Sequence, residues 1–167
     1  MSILVCDIDG TVADSSVRSS RIQKAFPTPE DVAVFTSEES MAQDVPFKGA
    51  LEFFCNLKKA VYPIFDTLMF LTGRCETQRE VTVNWLTQKL GLNPHDYLLC
   101  MRPKQMTLVD NHQYKEMVIK DMIQAPEFKN EKFIFIDDDL QCCKVLSKYG
   151  LALRAPGAWY YLNHDLS

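Results

Sequence analysis

The sequence predicts a doubly wound α/β domain on a five-stranded parallel sheet, and three observations predict it. Five short apolar runs recur along the chain, each bounded by Gly, Pro or carboxylates, as buried strands are. Segments with apolar residues at helical spacing separate them, so strand and helix alternate. The runs lack strict polar–apolar alternation, the pattern of strands covered on both faces. Such repetition implies right-handed crossovers and helices on both sides of the sheet.

Ile3-Leu4-Val5 is the first strand, and it ends in Cys6-Asp7-Ile8-Asp9-Gly10-Thr11. Residues 12–45 are polar and irregular, with Pro27, Pro29 and Ser/Thr/Glu clusters. They read as a small flap, or minimal cap, with short helices at 29–35 and 37–43, too short for an independent domain. A helix follows at 47–60, with Leu51, Phe54, Leu57 and Lys58 at helical spacing, and Pro63 ends it. Leu68 to Leu71, within 66–72, form the second strand, which closes on a Thr72-Gly73-Arg74 turn. Val81, Trp85, Leu86 and Leu90 mark an amphipathic helix over 76–90, stopped by Gly91. Tyr97 to Met101 are the third strand, and a helix at 112–124 carries Met117, Val118, Met122 and Ile123. Phe133 to Ile136 belong to the fourth strand, over 132–136, which runs into Asp137-Asp138-Asp139. A helix at 139–149 and a fifth strand at 151–154 follow, and the aromatic tail is expected to pack back on the body. The expected strand order is 3-2-1-4-5, in one domain spanning 1–167.

Composition narrows the function. A length of 167 residues suffices for one buried core, and a net charge of −4 argues against a broad grip on nucleic acid, though not against a site that holds one strand end. No stretch reaches the roughly 18–20 consecutive apolar residues of a membrane span, and the first apolar run is too short for a signal-peptide core. Six cysteines without Cys-x-x-Cys or zinc spacing read as buried free thiols of a reducing, cytoplasmic compartment.

Polar residues follow three strands at the same end: Asp7 and Asp9, Thr72, and Asp137 with Asp138. In an open α/β sheet ligands sit beyond the carboxyl ends of strands where strand order reverses. The expected order puts that reversal between the first and fourth strands, with Asp7/Asp9 beside Asp137/Asp138. Four converging carboxylates need a cation, and oxygen-only ligands favour Mg²⁺.

Asp7-Ile8-Asp9-Gly10-Thr11-Val12, Leu71-Thr72-Gly73-Arg74, a later helical Lys and Ile136-Asp137-Asp138 resemble the haloacid-dehalogenase-like phosphohydrolases. The resemblance implies that Asp7 attacks phosphorus to form an aspartyl-phosphate, and that Asp9 protonates the leaving oxygen and then activates water. Thr72 would offer its hydroxyl to a phosphoryl oxygen, with backbone N–H groups of the following helix start beside it. Mg²⁺ would be held by Asp7, the Asp9 carbonyl and the acids Asp137 and Asp138, the direct ligand of the last pair being open. Of the two lysines on the helix before the fourth strand, Lys115 lies nearer its site end, and Lys120 falls more than one turn away on a solvated face. Asp139 reads as a cap of the next helix.

A closer resemblance is to the 3′-phosphatase domain of phage polynucleotide kinases. Arg18, Gly73-Arg74 and Arg102 stand where that domain has basic residues, and Asp110 stands one position out of register with its acidic residue before the lysine. Thr11, Arg18, Gly73, Arg74 and Arg102 are therefore expected to bind a substrate with several phosphates, a nucleic-acid 3′ end or a nucleotide. No Gly-x-x-x-x-Gly-Lys-Ser/Thr occurs, so no kinase domain is expected in the chain. That leaves a 5′(3′)-deoxyribonucleotidase or another small-phosphoester phosphatase as the alternative, and a non-catalytic phosphate-binding module as a third. Trp159 and Tyr160-Tyr161 could stack a base, but tail packing is the stronger expectation.

Overall fold

The structure, a computed structural model, describes residues 2–57 and 65–164. Five parallel strands form the main sheet: β1 (Ser2–Cys6), β4 (Thr67–Cys75), β5 (Leu98–Arg102), β6 (Lys132–Asp137) and β7 (Gly150–Arg154). Their order is β5-β4-β1-β6-β7, which is the expected 3-2-1-4-5. Cys6 pairs with Phe70 on one side and Ile136 on the other, which brings Asp7 and Asp137 side by side at the carboxyl edge, while β4 runs on beyond them. The chain steps outward one way from β1 to β4 and β5, and the other way to β6 and β7. The crevice where the order reverses opens beside Asp7.

Strand side chains alternate between two apolar layers, as period two demands. Leu4, Cys6, Leu68 and Phe70 face α4 (Lys48–Leu57), α5 (Arg79–Leu90) and α8 (Gly157–His164), where Phe53, Phe54, Trp85, Leu86 and Trp159 are buried. Ile3, Val5, Met69, Leu71, Phe133 and Phe135 face α6 (Asn111–Gln124) and α7 (Leu140–Leu146), with Tyr114, Ile119, Cys142 and Leu146. A strand buried on both faces needs apolar residues at every position, which is why its sequence does not alternate.

The segment after β1 is more ordered than the sequence promised. A two-residue antiparallel ladder, β2 (Ala13–Asp14) with β3 (Val45–Pro46), closes the base of the flap. Between them lie α1 (Ser16–Ile22), α2 (Pro29–Phe35) and α3 (Glu38–Gln43). The helix α1 went unforeseen because Ser and Arg dominate it, with only Val17 and Ile22 apolar, and no apolar stripe marks it. The other two carry local start signals: Thr28 and Asp31 form a capping box with Pro29 at the first turn, and Ser37 caps α3 through Ser40 N–H.

Other bounds also shift. Residues 58–60 of the expected helix at 47–60, including Lys58, and its stop Pro63 lie outside the described residues. The second strand does not turn at Thr72-Gly73-Arg74 but runs on to Cys75, with a register irregularity against β5 between Thr72 and Cys75. A short 3₁₀ turn, Glu76–Gln78, then leads into α5, so no helix start adjoins Thr72. The aromatic tail is the helix α8, and Trp159 within it is buried. All six cysteines are free thiols; Cys6, Cys142 and Cys143 are buried, whereas Cys55 is exposed.

Candidate active site

The loop leaving β1 is a tight one. Asp7 N–H still bonds the Ile136 carbonyl of β6 at 2.9 Å, holding the residue in line with the strand. The chain then folds on itself, with Val12 and Ala13 N–H both bonded to the Ile8 carbonyl. Gly10 turns this corner at φ +81°, and a Cβ there would lie 2.3 Å from Asp138 Oδ2. Only glycine lets the loop and Asp138 approach so closely.

Three carboxylates meet at this point. Asp7, Asp137 and Asp138 each offer an oxygen within 4.8 Å of the others. Lys115 of α6 enters from below, its Nζ 2.6 Å from Asp137 Oδ2 and 2.9 Å from Asp7 Oδ1. The second approach lacks hydrogen-bond geometry, so the buried Asp7 Oδ1 keeps no hydrogen-bond donor. Burial and then the neighbouring Asp137 and Asp9 push the Asp7 carboxyl up to about 8, against the pull of Lys115. Burial draws the Lys115 ammonium down, but Asp7 and Asp137 outweigh it and hold it above its ordinary value. Lys120, by contrast, is exposed and pairs with Glu116 at 3.5 Å.

An orphaned carboxylate oxygen beside two further carboxylates is a hard-cation donor set, and it fits Mg²⁺. Within the set, both Asp137 oxygens are engaged, Oδ2 by Lys115 and Oδ1 by Asp139 N–H at 3.0 Å. Asp138 is tied by one oxygen to the Thr11 hydroxyl at 3.2 Å and borders the cleft. Thr11 Oγ1 also accepts Asp138 N–H at 2.9 Å, and its side chain is fully buried. Thr11 was expected to touch substrate; its hydroxyl is instead spent on Asp138, because the Gly10 corner packs the two together. Asp139 accepts Gln141 N–H as the cap of α7.

Asp9 points away from this group. Arg74 Nε donates to both its oxygens at 3.1 Å, Arg74 Nη2 donates to Oδ1 at 2.6 Å, and Arg18 Nη2 donates to Oδ1 as well. Burial raises the Asp9 carboxyl, but Arg74 and then Arg18 outweigh it and hold it below the usual range. Both arginines also bind Asp44, which caps the end of α3. The sequence sends Arg18 and Arg74 to substrate; in the structure each is only 3% exposed and satisfied by two carboxylates.

Thr72 is buried, accepts Arg74 N–H at 3.2 Å on its hydroxyl oxygen, and lines the cleft beside Gly73. Arg102, on the neighbouring strand β5, lines the cleft beside Gly73. It donates to Asn111 Oδ1 at 2.7 Å and to the Val109 carbonyl at 3.1 Å, and it lies over the Tyr114 ring. Its partners are neutral, and its Nε is buried without an acceptor. Asn111, the first residue of α6, makes the Arg102 contact; Asp110, which the resemblance puts one position out of register, makes no side-chain cap. The cleft has a volume of about 970 Å³ and an apolar flap wall of Ile22, Phe35 and Met41. Asp44 and Asn111 escaped sequence reasoning, since a lone Asp or Asn in a polar stretch carries no spacing signal.

No protein-family model matches the chain, and no curated protein matches it by sequence. Solved structures do. A chain of a Pnkp1/Rnl/Hen1 complex superposes with a TM-score of 0.61 at 20% identity, over 92% of this chain and 44% of that one. A haloacid dehalogenase-like hydrolase of Streptococcus pneumoniae, SP0104, gives 0.58 at 14% identity, over 92% and 84%. The haloacid dehalogenase-like domain of the Legionella pneumophila effector Lem4 gives 0.51 at 16% identity, over 99% and 93%. The chain spans under half the length of the Pnkp1/Rnl/Hen1 chains it matches. These likenesses, with the strand order, establish the haloacid dehalogenase-like fold.

Proposed function

We propose that this chain is a Mg²⁺-dependent phosphomonoester hydrolase working through an aspartyl-phosphate, and that its substrate is a 3′-phosphorylated polynucleotide end. The carrying observation is the buried Asp7, whose Oδ1 pairs with the Lys115 ammonium at 2.9 Å without accepting a hydrogen bond, beside Asp138 at the mouth of the strand-order reversal. An anion-binding module gains nothing from a buried carboxylate aimed at its ligand, whereas a covalent nucleophile requires one.

Asp7 attacks phosphorus, the ester P–O bond breaks, and the leaving oxygen takes a proton from Asp9. Asp9 then removes a proton from water, which attacks the acyl-phosphate, releases inorganic phosphate and restores Asp7. Clamped by two guanidiniums, Asp9 rests as the carboxylate; when a bound phosphate competes for Arg18 or Arg74, Asp9 takes up a proton from solvent in the cleft and can then pass it to the leaving oxygen. Lys115 offsets charge at Asp7, and the Thr72 hydroxyl donates to a phosphoryl oxygen. Asp7 and Asp138 would hold the Mg²⁺ directly with the Asp9 carbonyl, and Asp137, with both oxygens engaged, would orient Lys115. The ion supplies charge that lets a carboxylate and a phosphate meet.

Three features favour a polynucleotide end. The cleft exceeds what one phosphate fills, its flap wall is apolar, and Arg102 has no carboxylate partner to displace. The likeness to a chain of an RNA repair complex points the same way. Free thiols throughout accord with a reducing, cytoplasmic setting, and no helix among the described residues is long and apolar enough to cross a membrane. The test is phosphate release from a 3′-phosphorylated oligonucleotide with Mg²⁺ and with chelator, beside a panel of mononucleotides. Turnover of the oligonucleotide that the chelator abolishes is expected; turnover of mononucleotides alone would overturn the substrate assignment.

A further inference from the structure

We propose that Asp44 is a positioning residue for this site: it holds Arg18 and Arg74 from behind, and so makes their grip on Asp9 depend on the flap being seated against the sheet. The proposal rests on the phosphatase reading for its kinetic consequence, but not for its geometry.

Asp44 is buried, ends α3 and immediately precedes β3. Its backbone carbonyl accepts Trp85 Nε1–H of α5 at 2.8 Å, which fixes the end of the flap to the body. Its carboxylate accepts Arg18 Nε at 2.9 and 3.1 Å and Arg74 Nη2 at 3.2 Å. Arg18 comes from the flap helix α1, whereas Arg74 comes from the core strand β4. One carboxylate therefore joins the two parts of the molecule at the point where both reach the site.

Charge makes the arrangement necessary. Two guanidiniums converging on Asp9 alone would leave a buried excess of one positive charge and repel each other. Asp44 brings the cluster of Arg18, Arg74, Asp9 and Asp44 to neutrality. The Arg18 Nε bond to Asp44 orients its guanidinium so that Nη2 faces Asp9, and Phe35 stacks on it at 4.9 Å. With Asp44 in place, the arginines stay at the cleft when a phosphate competes for them. Asp44 itself does not line the main cleft, so its effect must pass through the arginines.

The test pairs kinetics with nuclear magnetic resonance on the full chain. Asp44→Asn keeps the side chain's shape and removes its charge. On a 3′-phosphorylated oligonucleotide it should lower kcat at least about tenfold with KM changed less than about threefold. In an Arg18→Gln background the same substitution should cost clearly less than in the wild type, because one of the two groups it acts through is gone and only Arg74 is left to lose its partner. Equal losses in both backgrounds, or an unchanged kcat, would overturn the proposal. Independently of activity, the Arg18 Nε–H signal should shift and exchange faster with solvent in Asp44→Asn than in the wild type, and an unmoved signal would overturn it too. A wild type inactive on every phosphoester would sink the phosphatase reading and leave the Arg18 signal to decide whether Asp44 holds the arginines. If Asp44→Asn fails to fold, Trp85→Phe, which frees the Asp44 carbonyl, should move the same signal in the same direction.

Discussion

Asp7 and Asp137 share one ammonium, Lys115, so one negative charge is left over among largely buried groups at the floor of the cleft. Burial first, and then the negative charge of Asp137 and Asp9, raise the Asp7 carboxyl to about 8 against the pull of Lys115. Since an unfolded Asp titrates near 4, the folded state retains a proton between about pH 4 and 8 that the unfolded chain has lost. Without metal, this contribution to stability is present at low pH and lost as pH rises through that window. Asp7→Asn cannot ionise and avoids the loss. It should abolish turnover yet, in chelator at pH 8, melt at least about 3 °C above the wild type, with the gap closing near pH 4. Calorimetry across that range decides it, and a lower melting temperature at pH 8 would refute the surplus-charge account. Lys115→Ala should act in reverse, removing activity and destabilising by about 3–5 kcal/mol because two buried carboxylates lose their partner. Lys120→Ala, on an exposed ion pair, should stay within about 0.5 kcal/mol in chemical denaturation. The difference between these lysines was legible in sequence from helix geometry alone. The clamp on Asp9 was not, because the sequence shows which groups are charged and not which of them will find each other first.

At the scale of elements, the strands could be read because each is an apolar run bounded by Gly, Pro or a carboxylate, and two-sided burial leaves few other residues possible. Helix starts could be read where a side chain closes a backbone N–H, as at Thr28 and Ser37. α1 has no side-chain cap, and β2 with β3 is held by two residue pairs, so neither leaves a mark in composition. The extension of β4 to Cys75 was hidden for another reason. Gly73 looks like a turn residue, yet here it serves close approach: a Cβ on it would come within 2.7 Å of Asn111 Oδ1. Gly10 is the position where both demands coincide, a left-handed φ and contact with Asp138. Gly10→Ala should therefore destabilise by about 1–3 kcal/mol and push Asp138 out of the acidic group. Denaturant titration measures the first effect. The second should weaken Mn²⁺ binding, used as a paramagnetic stand-in for Mg²⁺, at least about tenfold. Wild-type affinity in this variant would remove Asp138 from the ligand set.

At the scale of the whole molecule, the segment last in sequence braces the loop that comes first. Trp159 of α8 donates its Nε1–H to the Thr11 carbonyl at 2.9 Å, and its ring lies 5.4 Å from Phe53 and 6.0 Å from Phe54 of α4. Aromatic residues near a chain end could serve a base as well as a core, and sequence favours the core only weakly. Tertiary contact decides for Trp159, whose indole is buried and whose polar edge finds a carbonyl; the side chains of Tyr160 and Tyr161 lie outside the described residues. The link runs from α8 through the Thr11 carbonyl to the same residue whose hydroxyl holds Asp138, so packing far from the cleft reaches the acidic group in two steps. Trp159→Ala removes both packing and hydrogen bond and should destabilise by about 3–5 kcal/mol. Trp159→Phe keeps most of the packing but leaves the Thr11 carbonyl without a partner, and should cost about 1–3 kcal/mol. If the brace matters to the site, Trp159→Phe also lowers affinity for the metal at a temperature where it remains fully folded. Metal affinity equal to the wild type's, with stability reduced, would confine Trp159 to the core.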